Sequence, residues 1–187
     1  MKRLFDIIIS LILIWPAAII VALAALIIRL DSPGPALFQQ ERVGRNGKRF
    51  RLVKLRTMRI ETANVASHKV SATSITRIGS VLRRTKIDEL PQLICVLNGS
   101  MSLVGPRPCL PSQDELIQAR AVRGVLCSRP GITGLAQLYG IDMSRPQLLA
   151  YVDFLYVKNR SFWMDLKLLA GTVIGGGRGD AVRGGGR

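Results

Sequence analysis

The sequence predicts an α+β fold, mainly helical, carried on an apolar N-terminal segment. Three observations point that way. The run Ile7–Ile28 contains no charged residue. Asn46-Gly47 is a strong hairpin signal between two strand-like runs. From Thr76 onward, apolar residues recur at helical spacing. The expected organisation is a membrane segment over 1–30, one domain over 31–174, and a Gly/Arg-rich tail over 175–187.

As a helix, the apolar run would be about 33 Å long, enough for a hydrocarbon core of about 30 Å. A cleaved leader fits less well, because the run is long and no small-residue cleavage site precedes a polar start. Lys2 and Arg3 lie before it; Arg29 and the basic stretch 42–59 follow. The positive-inside rule therefore draws both flanks to the cytoplasm. Pro16 sits near the middle and removes one backbone hydrogen bond. Two paths satisfy these constraints: a kinked helix that crosses the bilayer, and a helix broken at Pro16 that enters one leaflet and returns. Asp6, at the membrane edge, has Lys2 and Arg3 as candidate partners.

Beyond a Pro/Gly turn at "DSPGP", strands are expected over Ala36–Val43 and Lys48–Leu55. The second alternates Arg49, Phe50, Arg51 and Leu52, so its cations line one face. Residues 61–75 are polar and read as a loop. Ile78, Val81 and Leu82 mark one helix; Leu90, Leu93, Ile94 and Leu97 mark another. Proline is tolerated only in a helix's first turn, so Pro91 sets the second start near Asp88, with a stop at Asn98-Gly99. In "GPRP", 105–108, two prolines display Arg107 on a stiff support. "RPGITG", 129–134, is a second rigid turn. Ser112 and Glu115 form a capping-box pattern for a helix beginning at Asp114-Glu115. Leu148, Leu149, Val152, Leu155 and Tyr156 give an amphipathic helix. Phe162, Trp163, Leu166, Leu169 and Val173 give a further stripe flanked by Lys158, Arg160 and Lys167, which suits a membrane-interface helix and a core-facing one equally. The tail is low-complexity sequence.

The 187-residue chain carries a net charge of +15, from 27 Lys+Arg and 12 Asp+Glu. Such an imbalance calls for an anionic partner: nucleic acid, an acidic membrane surface or phosphorylated substrates. Aromatics make up 5%, lean for a protein that stacks on single-stranded bases. Cys95, Cys109 and Cys127 form no CxxC pair and are expected to be reduced and mostly buried. With a single histidine, His68, a zinc site is not expected.

Against this background stands "RRTKIDELPQL", 83–93. Thirteen cations and one acid, Glu61, lie between Arg42 and Ile87; then come Asp88 and Glu89 together. A helix start explains them structurally, with Thr85 as the cap. Paired carboxylates among cations also suit chemistry on a phosphorylated substrate, one as nucleophile and metal ligand, the other handling a proton. The residues alone leave these two readings level.

Four stretches in order, "DSPGPALFQQERVGRNGKRFRLVKLRTM", "RIGSVLRRTKIDELPQLICVLNGSMSLVGPRP", "RPGITGLAQ" and "DLKLL", resemble the monotopic phosphoglycosyl transferase family, or bacterial sugar transferases. The resemblance implies a re-entrant helix-break-helix at Pro16, a catalytic domain facing the cytoplasm at the bacterial inner membrane, and amphipathic helices on the membrane surface. It implies transfer of a sugar 1-phosphate from a UDP-sugar to undecaprenyl phosphate, with release of UMP, in surface glycan or lipopolysaccharide synthesis. The expected sugar is an N-acetylated hexosamine or a deoxy derivative. By the same resemblance, Asp88 is the nucleophile and a Mg²⁺ ligand, Glu89 its partner, and Arg83 a phosphate holder. Lys54 and Arg56 in "VKLRTM", Arg107 and Gln137 match substrate-binding positions. A homodimer is compatible with it, and nucleic acid is not an expected partner. Three positions depart from the common pattern: Trp15 before Pro16, Ser100 in "GSMSLVGPRP", and Tyr139-Gly140-Ile141 after "GLAQ". The competing reading is a non-enzymatic, membrane-tethered basic module that binds acidic lipid or nucleic acid.

Overall fold

The computed structural model describes residues 2–60 and 74–174. Most of the expected 61–75 loop and the 175–187 tail lie outside them. Helix α1, Lys2–Asp31, opens the chain. Strands β1, Leu37–Val43, and β2, Arg49–Leu55, form the expected antiparallel hairpin, with Leu37 opposite Leu55 and Val43 opposite Arg49. Its turn takes positive φ at Asn46 (56°) and Gly47 (75°), the conformation that Asn-Gly favours. Arg49 and Arg51 face out, while Leu52 and Leu55 are buried.

Helix α2, Arg77–Thr85, is capped by the Thr76 side chain, which accepts from Gly79 N–H. A 3₁₀ segment, Ile87–Gln92, then leads into the short α3, Leu93–Leu97. The expected α-helical start at Asp88 is thus corrected. Pro91 is housed in the 3₁₀ segment, and the α-helix begins two residues later. Nor is Thr85 a cap; its hydroxyl donates back to the carbonyls of Val81 and Leu82.

Strands β3, Ser102–Val104, and β4, Gly131–Thr133, pair in parallel. Here the GPRP and RPGITG turns meet backbone to backbone. A Cβ on Gly131 would sit 2.0 Å from the Gly105 nitrogen, so no larger residue fits without moving one turn. Helices α4, Asp114–Val122, α5, Leu135–Leu138, α6, Pro146–Asn159, and α7, Phe162–Val173, complete the domain. The capping box at α4 does not form. Gln113 occupies the cap position, and its Oε1 accepts from Leu110 N–H instead.

Along α1, one stripe is buried: Asp6, Ser10, Ala17, Ala24 and Ile28. Ala17 packs in a core with Leu52, Leu93, Val96 and Tyr156. Ala24 and Ile28 pack with Ala36, Leu55 and Leu82. The helix therefore lies against the domain at both of its ends. Its other faces are apolar and open, with Leu11, Ile12, Trp15, Ile19, Leu23 and Leu30 exposed. The element is helical through Pro16, with no interruption there. The polar residues at its start find remote partners. Asp6 does not pair with Lys2 or Arg3 as expected; it accepts from Ser102 Oγ at 2.8 Å and Leu103 N–H at 3.3 Å. Lys2 instead bonds Asp165 at 2.5 Å, and Arg3 donates to the carbonyls of Val96 and Leu97.

Candidate active site

Lys86 turns the chain sharply between α2 and the 3₁₀ segment, with φ at 58°. A side chain tolerates that left-handed region at some cost, so tertiary contacts hold it there. The turn separates Arg83, on the last turn of α2, from Asp88 and Glu89, in the first turn of the 3₁₀ segment. Beneath them, β2 and α1 pack on that segment. Asp88 is 4% exposed.

Arg83 is fixed by its Nε, which donates to Thr57 Oγ1 at 2.9 Å. One terminal nitrogen, Nη1, is buried with no hydrogen-bond partner among the described residues. A buried guanidinium nitrogen left unpaired is costly, and an anionic oxygen is the partner that relieves it. Glu89 bonds Arg107 at 3.1 Å, both side chains largely covered. This ion pair joins the 3₁₀ segment to the GPRP turn.

The turn itself is braced from behind. Arg120 donates from Nη1 to the Arg107 carbonyl at 2.9 Å and, through Nε and Nη2, to Asp153 Oδ2 at 2.9 and 2.6 Å. Both Arg120 and Asp153 are buried. Burial pushes the Asp153 carboxyl above its usual range, and the Arg120 charge opposes that. On the other side, Arg42 donates to the Pro108 carbonyl at 3.1 Å, and Val43 N–H to Cys109 O at 2.9 Å. The hairpin and α4 thus clamp the prolines from both sides.

The remaining expected residues have different surroundings. Gln137 is buried in α5; its Nε2 donates to Ile132 O, and its Oε1 has no partner among the described residues. Lys54 lies 5.5 Å from the Phe38 ring, a cation–π distance. Arg56 is committed to the DSPG turn, bonding the Ser32 carbonyl and hydroxyl at 2.8 and 2.9 Å as well as the Pro33 carbonyl. That arrangement pins the end of α1 to β2. Sequence reasoning missed the Arg120–Asp153 brace and the Lys2–Asp165–Tyr156 cluster, in which the Tyr156 hydroxyl bonds Asp165 at 2.7 Å. A signal existed: Asp153 and Asp165 are scarce acids set inside apolar helical runs, where a charge survives only with a partner.

The site thus joins a buried carboxylate, Asp88, to a neighbouring Glu89 that is paired with Arg107. The family model described as bacterial sugar transferase matches residues 1–177, and the chain belongs to that family. Among its relatives is a UDP-glucose:undecaprenyl-phosphate glucose-1-phosphate transferase of Caulobacter vibrioides, 42% identical over 92% of this chain and 68% of the relative. The exopolysaccharide production protein PSS of Rhizobium leguminosarum bv. phaseoli is 41% identical over 93% of this chain and 94% of that one. A UDP-N-acetylgalactosamine-undecaprenyl-phosphate N-acetylgalactosaminephosphotransferase of Aeromonas hydrophila is 36% identical over 92% of this chain, which spans 42% of that longer protein.

Proposed function

We propose that this protein transfers a sugar 1-phosphate from a UDP-sugar to undecaprenyl phosphate, in two steps through Asp88. The reading is carried by the buried carboxylate of Asp88 and by Arg83 on the last turn of α2, the helix packed against the Asp88 segment; the buried Nη1 of Arg83 has no hydrogen-bond partner among the described residues. In the first step an Asp88 carboxylate oxygen attacks the phosphorus that bears the sugar. The bond from that phosphorus to the bridging oxygen breaks, and UMP leaves with the electron pair. In the second step an undecaprenyl phosphate oxygen attacks the same phosphorus. The Asp88 carboxylate leaves, and the lipid carries a diphosphate sugar. Arg83 serves both steps by holding a phosphoryl oxygen. Glu89, oriented by Arg107, handles charge or a proton on the incoming phosphate.

Mg²⁺ fits this donor set. The described residues hold no cage of three or more His, Cys, Asp or Glu side chains. Mg²⁺ is commonly bound by one or two carboxylates plus substrate phosphates, which Asp88 and the diphosphate supply. When bound it would neutralise charge on the departing nucleotide.

The membrane seat is monotopic in this reading. Both ends of α1 pack on one basic domain, and its open faces are apolar. A crossing helix packed along its length would drag that domain's charged surface into hydrocarbon. A helix that enters from the cytoplasmic side and stays with its domain avoids this. The outward Phe162, Trp163, Leu166 and Val173 of α7 add a second apolar contact.

The test is UMP release by purified protein with undecaprenyl phosphate and Mg²⁺. UDP-N-acetylhexosamines are the expected donors, and UDP-glucose is the first comparison because relatives are named for it. Asp88→Asn should abolish UMP release and any trapped phosphosugar adduct. An active Asp88→Asn enzyme would remove the nucleophile assignment.

A further inference from the structure

A second basic site lies at the start of α1. A cavity of about 560 Å³ opens there, lined by residues from five separate parts of the chain. Its cations are Lys2, Arg3, Arg45, Arg129 and Arg160; its only acids are Asp6 and Asp165. Neither Asp88 nor Glu89 lines it.

Both acids are already engaged. Asp165 bonds Lys2 and Tyr156, while Asp6 accepts from Ser102 and Leu103. Three of the four arginines, Arg3, Arg45 and Arg129, are held by neutral carbonyls, which orient them without cancelling their charge. Arg3 donates to Val96 and Leu97, Arg45 Nε to Cys127 O at 2.9 Å, and Arg129 Nε to Gly99 O at 2.9 Å. The terminal nitrogens of Arg45 and Arg129 make no hydrogen bond among the described residues. The crowding is physical: burial first, then repulsion from Arg3 and Arg45, draws the Arg129 pKa below the usual guanidinium range.

One wall of the cavity is aromatic. Phe5 and Phe162 line it, in edge-to-face contact at 5.2 Å. Trp163 stacks edge-on to Phe162 at 5.7 Å and is 69% exposed. Tryptophan and phenylalanine beside arginine, at the end of an apolar helix, mark headgroup depth. A basic pocket with an apolar lip suits an amphiphile whose anionic end is a phosphate ester.

We propose that this pocket seats the phosphate headgroup of an anionic membrane lipid, with the lipid's chain running out past Phe162 and Trp163. The site is separate from the dyad, so the lipid is a structural ligand that sets how the domain sits on the bilayer. The proposal rests on the membrane-bound reading of α1 and not on the transfer chemistry.

The experiment uses the full chain in neutral detergent, titrated with short-chain phosphatidylglycerol and followed by melting temperature and tryptophan fluorescence. Phosphatidylglycerol should raise the melting temperature in a saturable way; short-chain phosphatidylcholine should not. The exposed pair Arg45→Gln/Arg160→Gln should weaken binding about tenfold or more, the scale of one lost charge-assisted contact. A charge-matched control on the hairpin, Arg49→Gln/Arg51→Gln, should change it less than about twofold. Equal losses in both double variants would mean diffuse attraction to a cationic surface, and would overturn the site. Inorganic phosphate stabilising as well as the lipid would overturn the lipid assignment. Asp88→Asn should bind the lipid like the parent protein, so failure of the catalytic reading leaves this result standing.

Discussion

Replacing Arg120 tests how Arg107, the ion-pair partner of Glu89, is positioned. Arg120 and Asp153 are each about 3% exposed at the side chain and lie 2.6 Å apart. Truncation to Arg120→Ala strands a buried carboxylate, at a cost of about 3–5 kcal/mol. For a domain of this size that lowers Tm by roughly 6–20 °C. The double variant Arg120→Met/Asp153→Leu removes both charges and fills the space, so its stability should return to within about 2 kcal/mol of the parent. It still lacks the 2.9 Å bond to the Arg107 carbonyl, which positions the Glu89 partner. Displacement of the order of 1 Å at a catalytic group costs up to about a hundredfold in rate. UMP release by the stable double variant should therefore show kcat down roughly ten- to a hundredfold with little change in donor KM. A stable double variant with parental kcat would refute the positioning role, and an Arg120→Ala protein with parental Tm would refute the buried pair.

Other outcomes follow from the same geometry. Glu89→Gln weakens the 3.1 Å ion pair with Arg107 and should lower kcat/KM by about tenfold or more, while circular dichroism stays unchanged. Gly131→Ala places a Cβ 2.0 Å from the Gly105 nitrogen, so overpacking of about 1–3 kcal/mol should appear in denaturant melts together with loss of transfer. Iodoacetamide at neutral pH should label the exposed Cys127 first, because burial raises the Cys95 and Cys109 pKa values. A higher thiol pKa means less thiolate at a given pH, so labelling of those two should lag behind Cys127 as pH rises and catch up as the protein unfolds. Cysteines placed at residues 2 and 30 should both label from the cytoplasmic side, and opposite-side labelling would rule out the monotopic seat.

Local signals were legible in the sequence where local physics decides the structure. Asn46-Gly47 gave the hairpin because few other residues accept positive φ there. The helical pattern from Thr76 became α2, and the periodicities from Leu148 to Tyr156 and from Phe162 to Val173 fall in α6 and α7. Failures came where another partner, next door or far along the chain, outbid the expected one. Ser112 lost the cap position to Gln113, and Asp6 passed over its neighbours Lys2 and Arg3 for Ser102. Pro91 marked a helical segment, but a 3₁₀ one with the proline in its second turn, which spacing alone does not distinguish from α. At the site, Asp88 and Glu89 stood out as acids in a basic stretch. The brace behind Arg107 did not, since Arg120 and Asp153 meet only through the packing of α4 on α6. Arg56 shows the opposite case: a cation inside a motif whose hydrogen bonds serve the chain's own turn.

The bonds at the start of α1 also constrain when the protein can assemble. Lys2 is 163 residues away from its partner Asp165, and Asp6 is 96 residues from Ser102. At about 5–20 residues per second, a ribosome finishes Asp165 roughly 10–30 s after it has made Lys2. The apolar helix is therefore at the membrane early, with its polar end unmatched, while most of its docking surface is still unsynthesised. Insertion and docking become separate events in time, and the second waits until α7 has been made. A truncated product that ended before α7 would keep the apolar helix and the carboxylate pair, yet lack the latch that ties α1 to α7.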